Sequence, residues 1–87
     1  MKIPERMIHQ SFRYCLGRRS YAVGDWCDWF HANFDKIPND EKAIIKQDLE
    51  WAIKRDNESR ENGRDYHPLG DGMDRKRWLE VAALLGL

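Results

Sequence analysis

Apolar side chains recur along this chain at steps of three and four, the period of an amphipathic helix, and no stretch reads as a strand. Ile8, Phe12, Cys15 and Leu16 share one face, so a short helix is predicted from a first turn at Pro4 and Glu5 to about Leu16. Proline gives up no needed hydrogen bond there, and a carboxylate meets the positive end of the helix dipole. Gly17 is the expected left-handed stop. With Ser20 as cap, Val23, Trp26, Cys27, Phe30 and Phe34 form the clearest periodic run in the sequence. Gly24 inside that run costs about 1 kcal/mol of propensity relative to alanine, which implies close approach by a neighbour, with the first helix expected to supply it.

Ile37 and Pro38 end the second helix, and Asn39 followed by Asp40 and Glu41 starts a third with a cap and two first-turn acids. Ile45, Leu49, Ala52 and Ile53 give its inner face, flanked by Ile44 and Trp51. Lys54 through Asn62 are almost wholly polar and are predicted to project into solvent, with weak surface pairs such as Glu50 with Lys54 and Asp56 with Arg60. Gly63 stops this helix, and Pro68, Gly70 and Gly72 keep the stretch from Arg64 to Met73 irregular, with Tyr66, His67 and Leu69 as its candidate pins. Asp74 then caps a last helix whose inner face is Trp78, Val81, Ala82 and Leu85, ending near Gly86. The predicted fold is all-α, a single domain over residues 1–87 in which about four helices cluster around the aromatic second one.

Composition adds two constraints. Four tryptophans and three phenylalanines each bring roughly 150 to 250 Å² of apolar surface, enough for a core without a metal or disulfide. Fifteen basic and fifteen acidic side chains cancel, so no net field draws the chain to nucleic acid or to an anionic membrane, and charge-driven binding must be local. No apolar run approaches the ~18 residues of a membrane span, and the start MKIPERMIHQ lacks the apolar block of a signal peptide. A cytoplasmic protein with no membrane partner is expected, with Cys15 and Cys27 as reduced thiols.

Candidate chemistry is sparse. Cys27 and His31 lie four apart on one helical face, as two zinc ligands would, with Cys15 or His9 as possible additions, but Cys27 also belongs to the apolar stripe and a buried thiol is expected. As a nucleophile its thiolate would be opposed by Asp28. His67, near Asp65 and Asp71, is the best general-base candidate and has no nucleophile beside it in the sequence. Gly70 to Asp74 lacks the alternating ligands of a calcium loop, and no phosphate-cradling glycine motif follows a strand. No cofactor, no metal and no enzymatic activity are expected.

Two basic clusters are left, Arg13 with Arg18 and Arg19 at the first corner, and Arg75, Lys76 and Arg77 at the start of the last helix. Cations there oppose the helix dipole, a hint that the second cluster meets an acidic partner or the protein's own carboxylates. The helix-corner-helix pattern also looks like a DNA-reading motif, although Asp25, Asp28 and the aromatics of the second helix suit phosphate and base edges poorly.

The run Arg13-Tyr14-Cys15-Leu16-Gly17-Arg18-Arg19-Ser20-Tyr21 resembles an Arg-Tyr-x-Leu-Gly-Arg-x-Ser/Thr-Tyr signature of small phage- and prophage-encoded proteins. The resemblance extends through the aromatic second helix, the start of the third and Tyr66 to Leu69. It implies a small accessory protein in the host cytoplasm that binds a host or phage protein, with inhibition of a defence complex, of the anti-CRISPR or anti-restriction kind, as its activity. Arginine and tyrosine are typical interface anchors, so Arg13, Tyr14, Arg18, Arg19, Tyr21, Arg75, Lys76 and Arg77 are the candidate partner-binding residues. The alternative is a small nucleic-acid-binding regulator that uses the Arg13, Arg18 and Arg19 corner.

Overall fold

The computed structural model describes Ile3, Pro4 and residues 7–16 and 21–87, of Tyr21 the backbone alone. Glu5, Gly17, Arg18, Arg19, Ser20 and the side chain of Tyr21, all used above, lie outside the described residues. The described chain forms α1 (Ile8–Cys15), α2 (Tyr21–Asn33), a 3-10 turn (Phe34–Lys36), α3 (Asn39–Glu61) and α4 (Met73–Leu84), with no strand among the described residues. This is the small all-α cluster that the periodicity predicts.

Its centre is aromatic. Phe12, Trp26, Phe30 and Trp78 are each at most 1% exposed and pack with Val23, Ile45, Leu49 and Val81. Trp26 lies nearly parallel to Phe30 at 5.0 Å between ring centroids, and Phe12 meets Trp78 edge-on at 5.4 Å. Trp26 Nε1 donates to Ser11 Oγ at 2.8 Å, and the Ser11 hydroxyl donates to the Ile8 carbonyl at 2.7 Å. α1 thus satisfies the polar edge of the buried tryptophan on α2, which fixes how the two helices sit.

Helix ends depart from the expected caps. Among the described residues α1 begins at Ile8 rather than near Pro4, and the Met7 N–H donates to the Pro4 carbonyl at 2.9 Å. Asn39 is the first helical residue of α3 and Pro38 its cap; the Asp40 carboxylate instead accepts the Glu41 N–H at 3.0 Å. Glu41 is a buried acid, its carboxylate against His9 Nδ1 across α1 and α3. α4 follows Gly72, so Asp74 lies within the first turn, beside the positive dipole end, and does not cap it.

The largest correction concerns the polar half of α3: Lys54, Arg55, Asn57, Glu58, Glu61 and Asn62 are exposed as expected, but the face that carries Asp56 and Ser59 is covered. Asp56 is 0% exposed and Ser59 is buried, because the chain folds back over them. Gly63, at φ +64°, makes that reversal: its N–H reaches the Arg60 carbonyl and the Arg64 N–H reaches the Ser59 carbonyl, the paired bonds of a Schellman end that a left-handed residue allows. Leu69 then enters the core and its N–H donates to Asp56 Oδ1 at 3.3 Å. Arg60 Nε donates to Asp56 Oδ2 at 2.7 Å, and Arg75 Nε stands 3.5 Å from the same oxygen. Arg60 Nη2 also donates to the Gly70 carbonyl at 2.7 Å and to Asp71 Oδ1 at 3.1 Å, and the Ser59 hydroxyl to the Tyr66 carbonyl. The Asp56 to Arg60 pair expected on the surface is therefore the buried centre of a loop clamp.

Burial alone would push the Asp56 carboxyl up. The hydrogen bonds from Arg60 and the Leu69 N–H, with the Arg60 and Arg75 groups beside them, outweigh it and hold the carboxyl below its ordinary value. Gly24 meets its close neighbour too, but from α4: the Arg77 guanidinium lies where a Cβ would be, overlapping it at Nη1.

Two tests follow from this packing. Asp56→Asn should cost about 2 to 3 kcal/mol at neutral pH, since it removes the counter-charge from half-buried arginines. Because the folded carboxyl titrates below its unfolded value, the stabilisation is full above about pH 4 and fades as pH falls through the depressed value, so urea unfolding of wild type and variant should converge in acid. An equal gap at all pH values would refute this. For Gly24→Ala, helix propensity gains up to about 1 kcal/mol but Arg77 must move. The substitution should therefore be more favourable, by at least about 0.5 kcal/mol, in an Arg77→Ala background, and simple additivity in the double-mutant cycle would refute the contact.

Candidate functional site

The clamp has a consequence on the outer side of α3. Folding the loop back sets Arg64, Tyr66 and Pro68 opposite the flank of α3 that carries Asp48, Trp51 and Arg55, and a groove of about 660 Å³ opens between them. Arg13 and Leu16 at the end of α1 close it. Asp48, Trp51 and Arg55 follow at steps of three and four, a second helical stripe beside the buried one of Ile45, Leu49, Ala52 and Asp56.

Trp51, beside the inner face of α3, is 62% exposed, as Tyr66 is at 67%. Tyr66 pins the loop through its backbone carbonyl and leaves its ring outside. The Arg55 guanidinium lies 5.0 Å from the centroid of the Trp51 ring, a cation-π contact that steadies both side chains. Arg13 Nε donates to Asp48 Oδ2 at 2.6 Å at the surface. Trp29 is half-buried against the core.

The sequence-predicted binding residues are dispersed. Arg13 lines the groove, whereas Tyr14, 63% exposed, borders a second hollow of about 500 Å³ with Ile3, Pro4 and Met7. Arg75 turns to Asp56 and Arg77 to Gly24, so two members of that cluster serve the fold, while Lys76 is exposed. Arg55 and Arg64 were missed. The spacing of Asp48, Trp51 and Arg55 carried a signal for the first; nothing local pointed to the second, which depends on the chain reversal.

The groups considered for catalysis lie elsewhere. Cys27 is 2% exposed and its burial pushes the thiol up to about 12, against the opposing charge of Arg77, while His31 points outward. His67 Nδ1 lies 2.9 Å from Asp71 Oδ1, and that contact, with the Arg60 bond, holds the Asp71 carboxyl below its ordinary value. No hydroxyl or thiol bonds to His67 among the described residues, nor do three metal-ligating side chains converge among them. No described helix is long and apolar enough to cross a membrane. Compared with protein families, curated proteins and solved structures, the chain matches none.

Cys15 and Cys27 are both outside any disulfide and buried. A chromogenic disulfide reagent at mildly alkaline pH should therefore label neither thiol promptly in the native chain and both rapidly in denaturant. Prompt native labelling would show that Cys27 is reached without unfolding.

Proposed function

We propose that this chain acts by binding another protein through the groove between α3 and the 64–68 loop. The carrying observation is Trp51, which exposes 62% of its surface on a helix held rigid by the core beneath it. A large aromatic ring facing water on a rigid element, with a second ring and arginines around it, has the composition of an interface anchor. The signature at the first corner, resembling small phage and prophage proteins, suggests the setting: occupation of a surface on a host or phage machine, with inhibition of a defence complex of the anti-CRISPR or anti-restriction kind as the outcome.

Binding to DNA through α2 has less support. The large apolar residues of that helix, Val23, Trp26 and Phe30, are buried, and its exposed positions include Asp25, Asp28 and His31. Carboxylates at that surface repel phosphate.

Affinity capture from a host lysate with wild type and Trp51→Ala in parallel is the test. Because the ring is exposed, the substitution should leave thermal stability within about 0.5 kcal/mol of wild type. It should also remove the stoichiometric protein partner. Retention of that partner by Trp51→Ala would reject the groove as the interface.

A further inference from the structure

Resting on that reading, we infer that the groove receives an acidic segment of its partner, in which carboxylates flank a large apolar side chain. Charge selects this occupant. Among the described residues, three arginines, Arg13, Arg55 and Arg64, line the groove against one carboxylate, Asp48, in a chain whose total charge is zero. Asp48 is engaged by Arg13, and no ion pair joins Arg55 or Arg64 to a carboxylate among the described residues. The local surplus of positive charge is thus unanswered within the described domain.

The two open arginines are held in different ways. Arg55 lies over the Trp51 ring, which leaves the edge of its planar guanidinium for a carboxylate to meet bidentately. Arg64 stands directly after the left-handed Gly63, its backbone N–H bonded to the Ser59 carbonyl at 2.9 Å. Between them, Leu16, Ala52 and Pro68 supply apolar lining and Trp51 and Tyr66 stand exposed. Charge alone would leave that surface unused, so the partner brings an apolar side chain as well. The groove has room for a few side chains, the scale of a peptide segment.

Single-stranded nucleic acid also pairs arginines with aromatic stacking, but its charge does not end where the groove ends. A phosphate chain would run past exposed Asp65, between Arg64 and Tyr66 in sequence, and past Glu58 on α3, without a net positive field to hold it. Carboxylates on a protein segment can stop where the arginines stop.

A displayed random-peptide library panned on the full chain tests the inference. Enrichment of Asp and Glu around an aromatic residue or leucine is expected. An enriched peptide remade with Gln and Asn for its acids should bind at least about tenfold more weakly, as should the parent peptide on Arg55→Ala or Arg64→Ala. These exposed side chains can be removed without unfolding the domain, which circular dichroism verifies. Enrichment without acids, no enrichment, unchanged binding to the arginine variants, or tighter binding of an oligothymidylate with a steep salt dependence overturns it. So does sedimentation showing Trp51 covered by a second copy of the chain. The captured partner separates the two claims: loss on Trp51→Ala but not on Arg55→Ala with Arg64→Ala leaves the groove standing and rejects the acidic segment, whereas retention on all variants rejects both.

Discussion

A carboxylate cannot stay charged in a protein interior unless other groups replace the water it loses. Asp56 meets that requirement with Arg60 from its own helix, the Leu69 N–H from the following loop and Arg75 from α4. Two further segments, the loop and α4, are thereby tied to one side chain of α3. Their geometry is mutually dependent: Leu69 reaches the core only if the chain reverses after Gly63, and Arg75 reaches Asp56 only if α4 starts where Gly72 lets it.

The groove is a by-product of that arrangement. Nothing in Arg64, Tyr66 or Pro68 would organise a surface if the loop were free, since none of them belongs to the core. They face α3 because Leu69 and Gly70, just beyond them, are tied down, and because the Ser59 hydroxyl holds the Tyr66 carbonyl. A rigid wall, α3, then opposes a wall fixed at both ends, so a partner would find the contact surface largely formed. Pre-organisation of this kind lowers the ordering cost of association.

The helices and their buried stripes were legible in the sequence, because burial of Phe12, Trp26, Phe30, Leu49 and Trp78 follows directly from apolar spacing. Asp56 and Ser59 were not, since a polar residue in a polar run looks solvated whether or not a loop returns to cover it. Gly24 shows the intermediate case: its cost in propensity gave away a close neighbour, but whether α1 or α4 supplies it is a tertiary fact. At the groove, Arg13 was legible as part of the first corner and Trp51 as a neighbour of the inner face of α3, while Arg64 entered only through the turn at Gly63.

The left-handed turn at Gly63 also has an evolutionary meaning. By doubling the chain back within a few residues, it assembles both long walls of the groove from a single stretch, Asp48 to Pro68, with only Arg13 and Leu16 contributed from elsewhere among the described residues. Substitutions at the outward positions of that stretch can change what the surface recognises while the Trp26 and Trp78 core is untouched. Were the groove to bind a partner as proposed, its specificity could change on a scaffold that stays constant.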